Sequence, residues 1–144
     1  MAEAPTLFYT NIYNSRVGKI AIVTMDNGED YKKPSTLGEK TMESLHQAVD
    51  RVEGDRGIKG MILCGKHYIY AAGADLMRIP FINTFEQGRQ IGAAGHAAMK
   101  RIMDLKIPTL GAINGAALGG GLEIALYCDY RTVAKSVPAI GFPE

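Results

Sequence analysis

Three consecutive glycines, Gly119–Gly121, stand inside Asn114–Glu123 (NGAALGGGLE), between the apolar runs Thr109–Ile113 and Leu122–Leu126. In a helix interior they would cost on the order of 3 kcal/mol relative to alanine. Lacking a Cβ, they belong at a helix start or where another backbone approaches closely. A helix start leaves unpaired N–H groups at its positive end, suited to a phosphate or to an oxyanion formed in a reaction. Tight packing of the helix start against a neighbour accounts for the same glycines. Glu123 lies three residues past Gly120, about one turn along the same side. Among apolar neighbours it is either a surface residue or a buried acid with a raised pKa. A second glycine segment, Ala71–Leu76 (AAGADL), also follows a short apolar stretch.

Around these segments, strand and helix signals alternate. Leu7–Tyr13 and Lys19–Met25 read as strands joined by a Ser15–Gly18 turn, a candidate hairpin. Asp26–Lys33 is polar and turn-rich, and Pro34 ends it. Thr36-x-x-Glu39 resembles a capping box for a helix whose core face is Met42, Leu45, Val49 and Val52; Gly54 and Gly57 close it. Lys59–Cys64 reads as a buried strand and Ile69–Ala72 as a short extended piece. Thr84-x-x-Gln87 caps a second helix with Ile91, Met99, Ile102 and Met103 on its core face. Gly88, Gly92 and Gly95 weaken it but would allow close backbone packing, and Pro108 stops it. Thr109–Ile113 is a strand, Asn114-Gly115 a turn, Leu118–Tyr127 a third helix and Tyr130–Ala134 a last strand. This order predicts an α/β fold with parallel pairing. The sequence shows no internal repeat, low-complexity tract or linker, and 144 residues suit one domain.

Charge and motif excluded several classes. Sixteen Lys and Arg face fifteen Asp and Glu, scattered along the chain, so the clustered basic excess of a nucleic-acid-binding protein is missing. Met1–Pro5 carries no signal-peptide pattern, and no apolar run approaches the ~20 residues of a membrane span. A cytoplasmic protein is the expectation. Cys64 and Cys128 sit in apolar stretches and read as buried thiols. Without CxxC or HxxxH spacing no metal site is expected, and His46, His67 and His96 share no ligand spacing. Gly60–Lys66 fits the P-loop spacing GxxxxGK, but it spans a strand and lacks the final Ser or Thr, so the match reads as coincidence. Neither GxGxxG nor GxSxG occurs.

Taken together, Ala72-Gly73-Ala74-Asp75, Asn114–Glu123 and Gly141-Phe142-Pro143-Glu144 resemble the ordered motifs of the crotonase superfamily, the enoyl-CoA hydratases and isomerases. The likeness runs from about Lys19 to the end. It implies a repeated ββα superhelix (a spiral), with the C-terminal helical part missing from these 144 residues. It also implies hydration of trans-2-enoyl-CoA to 3-hydroxyacyl-CoA in fatty-acid or related degradation. The oxyanion hole would fall on the backbone N–H groups of Ala74 and Gly120. By the same likeness, Glu123 would position and deprotonate the water that attacks C3, and Glu144 would exchange the proton delivered to C2. Ala72, Asp75, Leu76, Gly119 and one of Lys32 and Lys33 become substrate-binding candidates, with the Ala72 carbonyl near the CoA adenine. Acyl-CoA would be the substrate, CoA being part of it rather than a cofactor, with no metal, nucleic acid or membrane involved. The full-length protein would form a trimer or hexamer.

The sequence departs from the family in three ways. The loop Asn27–Lys33 (NGEDYKK) is longer and more acidic than usual, which touches the CoA entrance. The connection before Pro143-Glu144 is slightly extended, with Ser136-Val137-Pro138 inside it. The chain stops at Glu144, where family members continue into helices that cover the acyl pocket and make trimer contacts. The 144 residues alone are therefore expected to expose apolar surface and to lack half the pocket. Having both Glu123 and Glu144 favours the hydratase, since many isomerases keep one acid. An isomerase, another reaction of the superfamily, or a non-catalytic interaction subunit of this fold are the alternatives.

Overall fold

The structure, a computed structural model, describes residues 4–143. Strands β1 (Leu7–Ser15) and β2 (Gly18–Asp26) form the expected hairpin, in register from Leu7↔Asp26 to Ser15↔Gly18. Alternation along β2 buries Ala21, Val23 and Met25 on one face. Helix α1 (Glu39–Gly54) lays Leu45, Ala48, Val49 and Val52 on the core, with Met42 partly buried against it. Its cap is Gly38 rather than Thr36, and the Gly38 N–H donates to Thr41 Oγ1 at 3.1 Å. The shift has a physical cause: Leu37 is held in an extended bridge to Ala74, so the chain cannot turn helical before it.

Strand β3 (Ile58–Gly65) pairs parallel with β2, β5 (Thr109–Ile113) with β3, and β7 (Tyr130–Val133) with β5. The five-stranded order is β1-β2-β3-β5-β7. A second, three-stranded parallel sheet has the order β4-β6-β8, from Tyr68–Ala71, Gly115–Leu118 and Ile140–Gly141. Each of β3, β5 and β7 is followed in the chain by its small-sheet successor, after two residues, one residue and a six-residue connection that contains a turn. Helices α2 (Phe85–Asp104) and α3 (Gly120–Leu126) follow the first two pairs. The chain is thus the ββα spiral that the resemblance implies.

Further expectations are corrected. Asn114-Gly115 is no reversing turn but the crossing from β5 into β6, and residues 115–118 are strand, so the third helix starts at Gly120 rather than Leu118. The 3-10 turn over Leu76–Phe81 and strand β8 lie where no element was expected. Helix α2 has the predicted Thr84–Gln87 capping box, with Gln87 N–H donating to Thr84 Oγ1 at 3.1 Å. It buries only Ala98, Met99 and Ile102, while Ile91 and Met103 are 58% and 52% exposed. Its N-terminal part reaches past the core, so Gly92 and Gly95 face open space instead of a packed neighbour. Leu76, Met77, Phe81 and Phe85 are exposed as well. No helix among the described residues is long and apolar enough to cross a membrane. Cys64 is partly buried and Cys128 buried, both as free thiols.

Candidate active site

Strands β4 and β6 are parallel neighbours, paired Tyr68↔Gly115, Ile69↔Ala116 and Ala71↔Ala117. Chains leaving their C-terminal ends therefore emerge at the same end of the small sheet. There the two glycine segments meet.

Hydrogen bonds to the segment before α1 orient the first. Ser35 O accepts from Ala72 N–H at 2.8 Å, Gly73 O accepts from Leu37 N–H at 2.7 Å, and Leu37 O accepts from Asp75 N–H at 3.3 Å. In such a parallel bridge the residue between the two bonded neighbours turns its own N–H to the opposite side. That residue is Ala74. Among the described residues its N–H has no protein acceptor, and neither has the Gly120 N–H.

The three glycines of the second segment have separate tasks. Gly119 takes φ 50° and ψ −127°, and its carbonyl accepts from both Leu122 and Glu123 N–H to start α3. Gly121 lies so close to β4 that an added Cβ would stand 2.1 Å from Ala71 O. Gly120 has room: an added Cβ would lie 3.4 Å from Leu37 Cδ1, 3.5 Å from Glu123 Oε2 and 3.9 Å from Ala74 N. The missing side chain thus leaves a small space bordered by Ala74 N–H, Gly120 and the Glu123 carboxylate. Across it Gly73, at φ 86°, sits flush with the second segment; a Cβ there would strike Leu118 O at 2.9 Å and reach 3.4 Å from Gly120 N. Glu123 is half-buried and turned back over the first turn of its helix.

Such a space can hold a carbonyl oxygen that gathers negative charge, with a carboxylate alongside to move a proton. Of the other sequence candidates, Asp75 caps the 3-10 turn, its carboxylate accepting from Met77 N–H at 3.0 Å. Leu76 is 70% exposed beside Ala74. Ala72 is half-buried, and among the described residues its carbonyl accepts no hydrogen bond. Lys33 pairs with Glu29 at 2.7 Å. Lys32 lies over the Tyr31 ring at 5.7 Å. Glu144 lies outside the described residues. Among those described, no three His, Cys, Asp or Glu side chains gather where they could hold a metal ion.

Sequence reading missed the residues behind this geometry. Leu37 and Ser35 act through their backbones, for which side-chain identity gives no signal. Asn114, read as a turn residue, exchanges hydrogen bonds with Gly65: its Oδ1 accepts from Gly65 N–H at 2.9 Å and its Nδ2 donates to Gly65 O at 2.8 Å.

The sequence model of the enoyl-CoA hydratase/isomerase family matches residues 16–144. A short-chain-enoyl-CoA hydratase of Clostridium acetobutylicum is 35% identical over 135 residues, which are 93% of this chain and 50% of that protein. A fatty acid oxidation complex subunit alpha of Pseudomonas entomophila is 39% identical over 121 residues, 81% of this chain and 16% of that one. The chain thus spans at most half the length of these relatives. Among solved structures, an enoyl-CoA hydratase of Bacillus anthracis superposes with TM-score 0.77 at 26% identity, covering 92% of this chain and 50% of its own. An enoyl-CoA hydratase/carnithine racemase of Magnetospirillum magneticum gives 0.78 at 29%, covering 95% and 51%. With the ββα spiral and the paired glycine segments at one end of the small sheet, these matches make the chain a member of the enoyl-CoA hydratase/isomerase family.

Proposed function

We propose that the protein carrying these residues adds water across the double bond of trans-2-enoyl-CoA thioesters to give 3-hydroxyacyl-CoA. One observation carries the reading: two backbone N–H groups without a protein acceptor, Ala74 and Gly120, border a space that also meets the Glu123 carboxylate. In the proposed reaction both N–H groups hold the thioester oxygen as it becomes enolate-like. A donor in that role is typically worth ~3–4 kcal/mol of barrier. Glu123 holds the water and takes its proton as the oxygen bonds to C3, and Glu144 delivers a proton to C2. Water thereby contributes hydroxyl to one carbon and hydrogen to the next, and no net proton is consumed. The exposed Leu76 and Met77 beside Ala74 suit an apolar acyl chain, and the open Ala72 carbonyl suits a donor on the CoA adenine. The names of the relatives support an acyl-CoA substrate in fatty-acid degradation.

The test mixes the full natural chain with crotonyl-CoA and follows loss of the conjugated-thioester absorbance. Loss of absorbance supports hydration, and Glu144→Gln should abolish it while the protein stays folded. A protein inert toward crotonyl-CoA that shifts the double bond of a 3-enoyl-CoA would replace hydration by isomerisation.

A further inference from the structure

Lys66 is the one buried charged side chain among the described residues, at 7% exposure. No carboxylate among them lies within salt-bridge distance of it. Its ammonium donates to Asn27 Oδ1, to Glu29 O at 3.2 Å and to Asp30 O at 3.0 Å, which engages all three of its donors. The Asn27 amide is engaged at both ends: its oxygen also accepts from Glu29 N–H at 3.2 Å, and its Nδ2 donates to Pro34 O at 3.0 Å. Lys66 and Asn27 thus close the neck of the polar loop Asn27–Lys33. Past the neck come Ser35, Thr36 and Leu37, and the backbones of Ser35 and Leu37 bond Ala72, Gly73 and Asp75.

Lys66 is itself fixed from behind. Its N–H donates to Met25 O at 2.9 Å, and its carbonyl accepts from Ile69 N–H at 3.2 Å and Asn114 Nδ2 at 3.3 Å. In the same turn Tyr68 holds φ 65°, an outlying conformation for a bulky residue. Its ring meets that of Tyr31 edge-on at 5.3 Å, so the turn grips the loop a second time.

Burying an ammonium without a counter-charge is costly, and such groups are kept where their hydrogen bonds fix something. We propose that Lys66 is a positioning residue of the active site, which acts through Asn27 and Pro34 on Ser35–Leu37 and so aims the Ala74 N–H at the substrate oxygen. This also gives the GxxxxGK lysine a task, on loop carbonyls rather than phosphate. The proposal rests on the thioester reading above.

The test uses the full natural chain and a cinnamoyl-CoA carrying a para-dimethylamino group. This push–pull chromophore absorbs further to the red when its thioester oxygen accepts hydrogen bonds, and it reports polarisation without turnover. Lys66→Met keeps the length and removes the donors. Asn27→Asp keeps an acceptor for Lys66 but removes the donation to Pro34, so it tests the coupling even where Lys66→Met fails to fold. Both folded variants should lose part of the red shift. Their kcat on crotonyl-CoA should fall about ten- to a hundredfold with KM within about threefold, as for a displaced group that acts in the transition state. An Asn27→Asp protein with wild-type red shift and kcat overturns the proposal alone, as does a folded Lys66→Met protein changed only in KM. A wild type that neither shifts the probe nor hydrates overturns the thioester reading, and the proposal with it.

Discussion

Gly120 and Gly121 are neighbours in sequence, yet alanine should have opposite consequences at the two. At Gly120 the new methyl would touch Leu37 Cδ1 at 3.4 Å and Glu123 Oε2 at 3.5 Å, ordinary van der Waals separations. Alanine therefore fits, and a less flexible unfolded chain adds about 0.4–1 kcal/mol of stability. The same methyl stands 3.9 Å from Ala74 N, in the space where the proposed reaction would bring a thioester oxygen within about 2.9 Å of the N–H nitrogens. Losing one such donor typically lowers kcat about a hundred- to a thousandfold. At Gly121 the methyl would lie 2.1 Å from Ala71 O and 2.6 Å from Ala71 C, backbone atoms of β4 that have no rotamer to change. Overpacking of this kind costs about 1–3 kcal/mol, roughly 2–12 °C in Tm for a chain of this size or somewhat longer. Thermal melts and crotonyl-CoA hydration, both on the full natural chain, separate the two effects. Gly120→Ala should melt at or above wild type and be nearly inactive. Gly121→Ala should melt lower and lose activity only with its folded fraction. A Gly120→Ala protein that keeps kcat within about threefold, or that melts as low as Gly121→Ala, would refute the geometry.

Three further outcomes follow from the core. Burial pushes the Cys128 thiol up to about 12 from an ordinary 9.0, so between these values the folded chain binds more protons than the unfolded one. Its contribution is complete below pH 9 and is lost as the pH rises toward 12. Burial of the Tyr70 hydroxyl acts in the same direction. The urea midpoint should fall above pH 9, and Cys128→Ala, though weaker at pH 8, should lose less between pH 8 and 11; equal losses would contradict the assignment. Iodoacetamide at pH 8 should reach Cys64 before Cys128 in the folded protein, as peptide mass mapping would show. The Tyr70 hydroxyl is buried with no hydrogen-bond partner among the described residues. Tyr70→Phe should therefore leave stability unchanged or raise it by up to about 1 kcal/mol; a loss of that size in denaturant titration would reveal a partner.

Long, strongly patterned elements were legible in the sequence. The hairpin declared itself through β-branched alternation, and α1 through Leu45, Val49 and Val52. Both glycine segments were also legible, because a run of residues without Cβ has few places to go. Of the small sheet only β4 was foreshadowed, as the extended piece Ile69–Ala72. Its strands hold four, four and two residues, too few to show an alternation, and Ala116-Ala117-Leu118 alone favours a helix. Pairing with β4 and β8 overrides that preference. Ile91 and Met103 misled because periodicity names a helical face without saying how far along the helix a neighbour covers it. Lys66 gave no local signal of burial, since what holds it is the backbone of a loop more than thirty residues earlier.

Hydration of crotonyl-CoA in oxygen-18 water, by wild-type full natural chain beside Glu123→Gln, tests the central claim most directly. The wild type should form 3-hydroxybutyryl-CoA with one heavy oxygen at C3. Glu123→Gln should fold alike and form it about a hundredfold or more slowly, as when a proton-transferring group is lost. A Glu123→Gln protein that forms the labelled product at the wild-type rate would contradict the assignment of Glu123 to the water.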